Sequence, residues 1–333
     1  MMELSLQQIQ WITHGAVRVE RENDTVRFFR FTEEQENLYR NYTAAPSFYN
    51  RTFATAGITL EFDTDSENLH LAVQVRTGCG FRWFTHSIFA DDRRIGEIAG
   101  FVPENEPFAQ AQGTFSLGAG MKRIRIHFPW NEISALRSLK LDDGAKVIPV
   151  PKKRRILIFG DSITQGYITW LPENSYASRI ARAMDADMIN KGIGGEAFRP
   201  PLADLPEPFQ PDLILTAYGV NDWSSKTEEK FADDALAFFS NLRKNYPDVK
   251  IVALTPIWHK AIPEKEKTRW PFQKITDHLK AAAKAVGHMT VLDGMELVPH
   301  DTACFAEDQI HPNDIGFGYY AQALQIRLAE ILE

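Results

Sequence analysis

The chain is short of cysteine, of dense basic stretches and of long apolar runs, and each shortage removes a class of protein. Its two cysteines, Cys79 and Cys304, lie far apart, and neither belongs to a CxxC pair. The expectation is two unpaired structural thiols rather than a disulfide framework. With 37 Lys and Arg against 44 Asp and Glu, the net charge of -7 disfavours nucleic acid as a partner. The one basic run, Lys152-Lys153-Arg154-Arg155, reads as a solvated linker flank. No segment approaches the length of a membrane span, so no membrane association is expected. The first residues do not show a basic region followed by an apolar one, which reads as no signal peptide and a cytoplasmic location. No His/Cys/Asp cluster has ligand spacing, so neither a catalytic metal nor a cofactor is expected. Internal repeats and low-complexity tracts are lacking too.

What is present is ample core. A hydrophobic content of 44% and a charged content of 24% in 333 residues suit a globular protein of two domains. Residues 1–150 read mostly as short strands. Val26 and Phe28 alternate after the turn-like Glu22-Asn23-Asp24, as do Leu60 and Phe62, then Leu69, Leu71, Val73 and Val75, then Ile124, Ile126 and Phe128. Many strands with little helical periodicity suggest a β-sandwich of the jelly-roll sort. From residue 151 to 333 strands alternate with helices, which argues for a parallel sheet of βαβ units.

The second half is organised around Arg155-Ile-Leu-Ile-Phe-Gly-Asp-Ser-Ile-Thr-Gln-Gly166. The apolar run has the content of a buried strand and stops at Gly160-Asp161-Ser162. That places Ser162 at the carboxyl end of a strand, where open α/β sheets hold their ligands. A serine hydroxyl needs a neighbouring base, and the base needs an acid on its other ring nitrogen. Asp308 and His311, with only two residues between them, supply both if the turn is tight. An oxyanion hole completes the requirement. Gly195 follows a strand and can bring a bare N–H close to a substrate, and the Asn221 amide lies in a turn after Leu213-Ile-Leu215. Taken singly, each of these residues is more often structural; it is the combination that carries the reading.

Gly160-Asp-Ser162, Asn190-Lys-Gly-Ile-Gly-Gly195, Gly219-Val-Asn221-Asp and Asp308-Gln-Ile-His311-Pro together resemble, in order, blocks I, II, III and V of the SGNH (GDSL) hydrolase superfamily. The resemblance implies a flavodoxin-like three-layer α/β/α catalytic domain with Ser162 as nucleophile and His311 and Asp308 as its partners. The oxyanion hole would be made by the Ser162 and Gly195 N–H groups with Asn221. With a β-sandwich in front, the architecture resembles the two-domain carbohydrate esterases that deacetylate plant polysaccharide fragments. It implies an acetylated oligosaccharide, or another small ester, as substrate and leaves homo-oligomerisation open. A lipid esterase, lysophospholipase or thioesterase of the same superfamily is the first alternative. A carbohydrate-binding protein with a non-catalytic hydrolase domain is the second. Asp161, Tyr167, Trp170, Trp223 and Trp258 follow strand ends or catalytic segments and are the candidates for substrate contact, the aromatics by stacking on sugar rings. His259 is a weaker candidate base.

Overall fold

The computed structural model describes residues 1–332. Up to Pro149 the strands form two six-stranded sheets. In one, Arg18–Glu22, Thr25–Phe29, Glu132–Leu141, Asn68–Thr77 and Ala109–Ser116 lie side by side, with Met2–Glu3 added to Glu132–Leu141. In the other the order is Ile148–Pro149, Thr59–Thr64, Lys122–His127, Trp83–Ala90 and Arg93–Phe101, with Thr13–His14 added to Thr59–Thr64. The first hairpin turns at Asn23, whose φ of 56° suits an asparagine in a two-residue connection. Alternation then does what the pleat requires: Leu69, Leu71, Val73 and Val75 point inward against Leu60, Phe62, Ile124 and Ile126, and all are fully buried. Each such side chain contributes about 1.5–3 kcal/mol of burial.

Three helices interrupt what the sequence suggests is nearly all strand: Leu6–Ile12, Glu33–Arg40 and Ser47–Thr52. The first two carry capping boxes, Ser5 with Gln8 and Thr32 with Gln35, in which each side chain takes the other residue's backbone N–H. That spacing was the signal for them, and the strand alternation around it masks it.

Beyond residue 153 a five-stranded parallel sheet runs in the order Ala186–Asn190, Arg154–Gly160, Leu213–Ala217, Lys250–Leu254, Met289–Leu292. This is the doubly wound 2-1-3-4-5 order of flavodoxin-like sheets. Both faces are covered, which is why Ile156 to Phe159, the buried stretch of that strand after its two exposed arginines, is continuously apolar. Ile156 and Ile158 face the helices Tyr176–Ala183 and Asp314–Leu332, whereas Leu157 and Phe159 face Glu228–Asn245 and Gln273–Val286.

The two halves share this second core. Phe31, Tyr39 and Phe48, from the first half, pack into the cluster that holds Leu157, Phe159 and Ile189. Arg30 is fully buried between them. Its Nε donates to the Ala54 carbonyl at 2.6 Å, its Nη2 to Arg51 at 2.9 Å, and its Nη1 to the carbonyls of Gly192, at 3.1 Å, and Asn190. Burial lowers its pKa to about 10, which still leaves it charged at neutral pH. Arg30→Met would strand these carbonyls without donors. We expect it to cost about 3 kcal/mol or more, read as a lower urea midpoint at unchanged m-value.

Candidate active site

Ser162 comes directly off the end of the Arg154–Gly160 strand into the one-turn helix Ser162–Gln165. Gly160 is needed for that exit, because a Cβ there would meet Thr164 Oγ1 at 2.0 Å and the Ala217 carbonyl at 3.0 Å. Asp161 is buried and caps the helix, its Oδ1 accepting the Ile163 N–H at 3.0 Å. Burial pushes its carboxyl up to about 7. It lines the neighbouring cavity with Ile163, Val220, His259 and Ile310, not the cleft that Ser162 and His311 line.

On the opposite side of the cleft, the Asp308–His311 turn closes through Gln309, whose φ of 56° is left-handed. His311 Nδ1 lies 2.5 Å from Asp308 Oδ2, and Asp308 Oδ1 accepts the N–H groups of Ile310 and His311 at 2.9 and 3.0 Å. Burial opposes ionisation of Asp308, but the hydrogen bonds from the His311 ring and these N–H groups outweigh it and hold the carboxyl near 2. An ionised Asp308 accepts from Nδ1–H, which leaves Nε2 as acceptor, and the Ser162 hydroxyl donates to it at 2.8 Å. Serine, imidazole and carboxylate thus form one continuous hydrogen-bonded row. The Asn313 side chain anchors the turn by capping the last helix through the N–H groups of Ile315 and Gly316.

Gly195 and Asn221 line the same cleft as Ser162 and His311. Gly195 has a φ of 83°, a conformation that glycine adopts without strain. The Ser162 and Gly195 N–H groups have no hydrogen-bond partner among the described residues. Asn221 Nδ2 donates one bond, to the Glu196 carbonyl at 2.9 Å, and has a second hydrogen to offer. The helix Val220–Ser225 that carries it is held by buried Asp222, which accepts the Phe198 N–H and the Lys226 ammonium.

The aromatic candidates divide. Tyr167 stacks on His311, with centroids 5.5 Å apart, and lines the cleft. Phe81 packs on Tyr167 at 5.4 Å, Trp83 on Phe81 at 6.3 Å, and Trp170 stacks on Trp83 at 4.7 Å, so one aromatic wall leads from the imidazole to an exposed tryptophan. Phe81 and Trp83 come from the first half, and sequence reasoning missed them because only long-range strand pairing brings them here. Trp223 is fully buried, edge-on to Phe272 and donating to the Trp270 carbonyl at 2.6 Å, so it has no face to offer a sugar. Trp258 is stacked on His300 and packed on Phe305, apart from the cleft lining. His259 is buried with both ring nitrogens unpartnered among the described residues, and burial drives its imidazole down to about 4. It makes no hydrogen bond to Ser162. Cys79 and Cys304 are both free and buried.

The profile of the GDSL-like Lipase/Acylhydrolase family matches residues 158–318, which hold Ser162, Gly195, Asn221, Asp308 and His311. This half of the chain is a GDSL-like acylhydrolase domain. An acetylxylan esterase/glucomannan deacetylase of Cellvibrio japonicus (strain Ueda107) is 26% identical over 163 residues, covering 37% of this chain and 45% of that protein. The chain therefore matches under half the length of that curated relative. Among solved structures, a salicylyl-acyltransferase, SsfX3, from a tetracycline biosynthetic pathway superposes with a TM-score of 0.83 at 19% identity, covering 96% of this chain and 94% of that one. A family two carbohydrate esterase from Cellvibrio japonicus superposes with a TM-score of 0.68 at 16% identity, covering 99% and 98%. At these identities the superpositions establish the fold shared by the acylhydrolase domain and the sandwich in front of it.

Proposed function

We propose that the protein is a serine ester hydrolase that removes acetyl groups from carbohydrate, with short oligosaccharides as the substrate class. The observation that carries this is the Ser162–His311–Asp308 row beside two uncommitted backbone N–H groups. In this reading the Ser162 hydroxyl attacks the acetyl carbonyl while His311 Nε2 takes its proton. Asp308 keeps the imidazole in the required tautomer and stabilises the imidazolium that forms. The tetrahedral oxygen is bound by the Ser162 and Gly195 N–H groups and the Asn221 amide. His311 then protonates the departing sugar hydroxyl, and a water repeats the sequence on the acyl-serine to release acetate.

Asn221→Ala is expected to lower kcat about 10²–10³-fold with little change in KM, the behaviour of a donor that acts on the transition state. Steady-state kinetics on an acetyl ester checks it. The sugar assignment is supported by the aromatic wall from Tyr167 to Trp170, which offers flat apolar faces beside a polar cleft. Acetate release from acetylated xylo-, manno-, gluco- and chito-oligosaccharides tests it, run beside p-nitrophenyl esters of increasing chain length. Turnover of at least one sugar class with a fall-off beyond butyrate is expected. A preference for long acyl chains would favour the lipid-esterase alternative.

A further inference from the structure

We propose that the ester this protein hydrolyses carries a carboxylate, and that Arg51 and Lys265 recognise it. The inference rests on the esterase reading above and names the charge of its substrate. The whole chain is acidic, with a net charge of -7, yet the cleft around Ser162 and His311 is lined by two cations, Arg51 and Lys265, and, among the described residues, by no aspartate or glutamate. Asp308, the nearest carboxylate to the reacting pair, is turned to the far side of His311, with its oxygens taken by the ring and by two backbone N–H groups.

Among the described residues, neither cation is engaged by an acid. Arg51 reaches the cleft from the helix Ser47–Thr52 of the first half and donates through Nη1 to the Gly194 carbonyl, next to Gly195. The guanidinium lies over the Phe48 ring, 5.6 Å from its centroid, and of its five N–H donors the rest make no hydrogen bond among the described residues. Lys265 enters from the short helix Ile262–Lys265, and its ammonium makes no hydrogen bond or ion pair among the described residues. The acids beside it in sequence are committed elsewhere: Glu264 pairs with Lys267, and Glu266 accepts the Phe272 N–H at 2.8 Å. Arg51 and Lys265 are both half-buried, so screening by solvent is incomplete. A planar guanidinium fork suits a carboxylate in particular, and the ammonium adds an undirected charge.

The carboxylate could sit on the acyl group or on the alcohol, and matched ester pairs separate these. One pair is a methyl glucoside esterified with succinate against the same sugar esterified with butyrate. The other is an O-acetylated methyl glucuronoside against the O-acetylated methyl glucoside. The quantity read is the ratio of kcat/KM, charged over neutral, in wild type, Arg51→Gln, Arg51→Lys and Lys265→Gln, at low and at 1 M salt. Because Arg51 also touches the carbonyl beside Gly195, its loss can slow both members of a pair, and the ratio cancels that. We expect a ratio of about 10 or more in one pair, falling several-fold in Arg51→Gln and in Lys265→Gln, partly restored in Arg51→Lys, and shrinking at high salt. A wild-type ratio near or below one in both pairs overturns the proposal while leaving the esterase reading standing, and so does a ratio that neither Gln variant changes. Failure to hydrolyse any of the four esters, with wild type no better than Ser162→Ala, overturns the esterase reading and this proposal with it.

Discussion

Ser162→Ala is expected to reduce ester turnover by about five to six orders of magnitude, into the background of a p-nitrophenyl acetate assay. The size follows from what the residue does in the proposed cycle. Its hydroxyl is the atom that forms the acyl bond, and His311 Nε2 has no other acceptor role once that hydroxyl is gone. What remains is binding and the oxyanion donors, which by themselves hold about 10³–10⁴ of rate over water in comparable sites. The fold should not register the change. Ser162 Oγ hydrogen-bonds only His311 among the described residues, and an alanine fits the first position of a helical turn. An unchanged thermal midpoint with activity lost is the signature expected. Residual turnover within 100-fold of wild type would remove Ser162 from the chemistry.

Asp308→Asn is the second large effect, expected at about 10³–10⁴-fold in kcat with a small change in KM. The asparagine keeps an acceptor for the Ile310 and His311 N–H groups, so the turn through Gln309 is retained. The cost lies on the other atom. An amide NH₂ facing Nδ1 favours the tautomer with the proton on Nε2, which then cannot take the serine proton. Because the Asp308 carboxyl is held near 2, its own protonation does not shape the rate at neutral or mildly acid pH. A rate loss that shrank at high pH would show hydroxide taking the serine proton where the imidazole in the wrong tautomer cannot.

Much of the fold and of the candidate site is legible in the sequence. The parallel half announces itself through short apolar runs that end at Gly160, Asn190 and Ala217, since a strand buried on both faces has no polar positions to hide it. Asp308 and His311 could be paired because they are local to one turn, and Ser162 because it ends the first of those runs. What was not legible depends on direction rather than on position along the chain. Trp223 and Tyr167 both follow strand ends, but one turns into the core and the other into the cleft, and neither spacing nor composition tells them apart. Arg30, Arg51, Phe81 and Trp83 lie more than 75 residues before Ser162 and reach the site only because the helices and strands of the first half dock on the second. A lone arginine in a strand-rich stretch carries no mark of that. The same docking gives the sandwich a direct part in the site: it supplies one wall of the cleft and clamps the Asn190–Gly192 segment through Arg30.

The most direct test of the central claim is the mass of the intact enzyme after treatment with a p-nitrophenyl phosphonate, followed by peptide mapping. One phosphonyl group on the peptide containing Ser162, absent from Ser162→Ala and formed far more slowly in His311→Ala, is the predicted result. Stoichiometric labelling of a different residue, or labelling of Ser162 at the same rate without His311, would contradict the account.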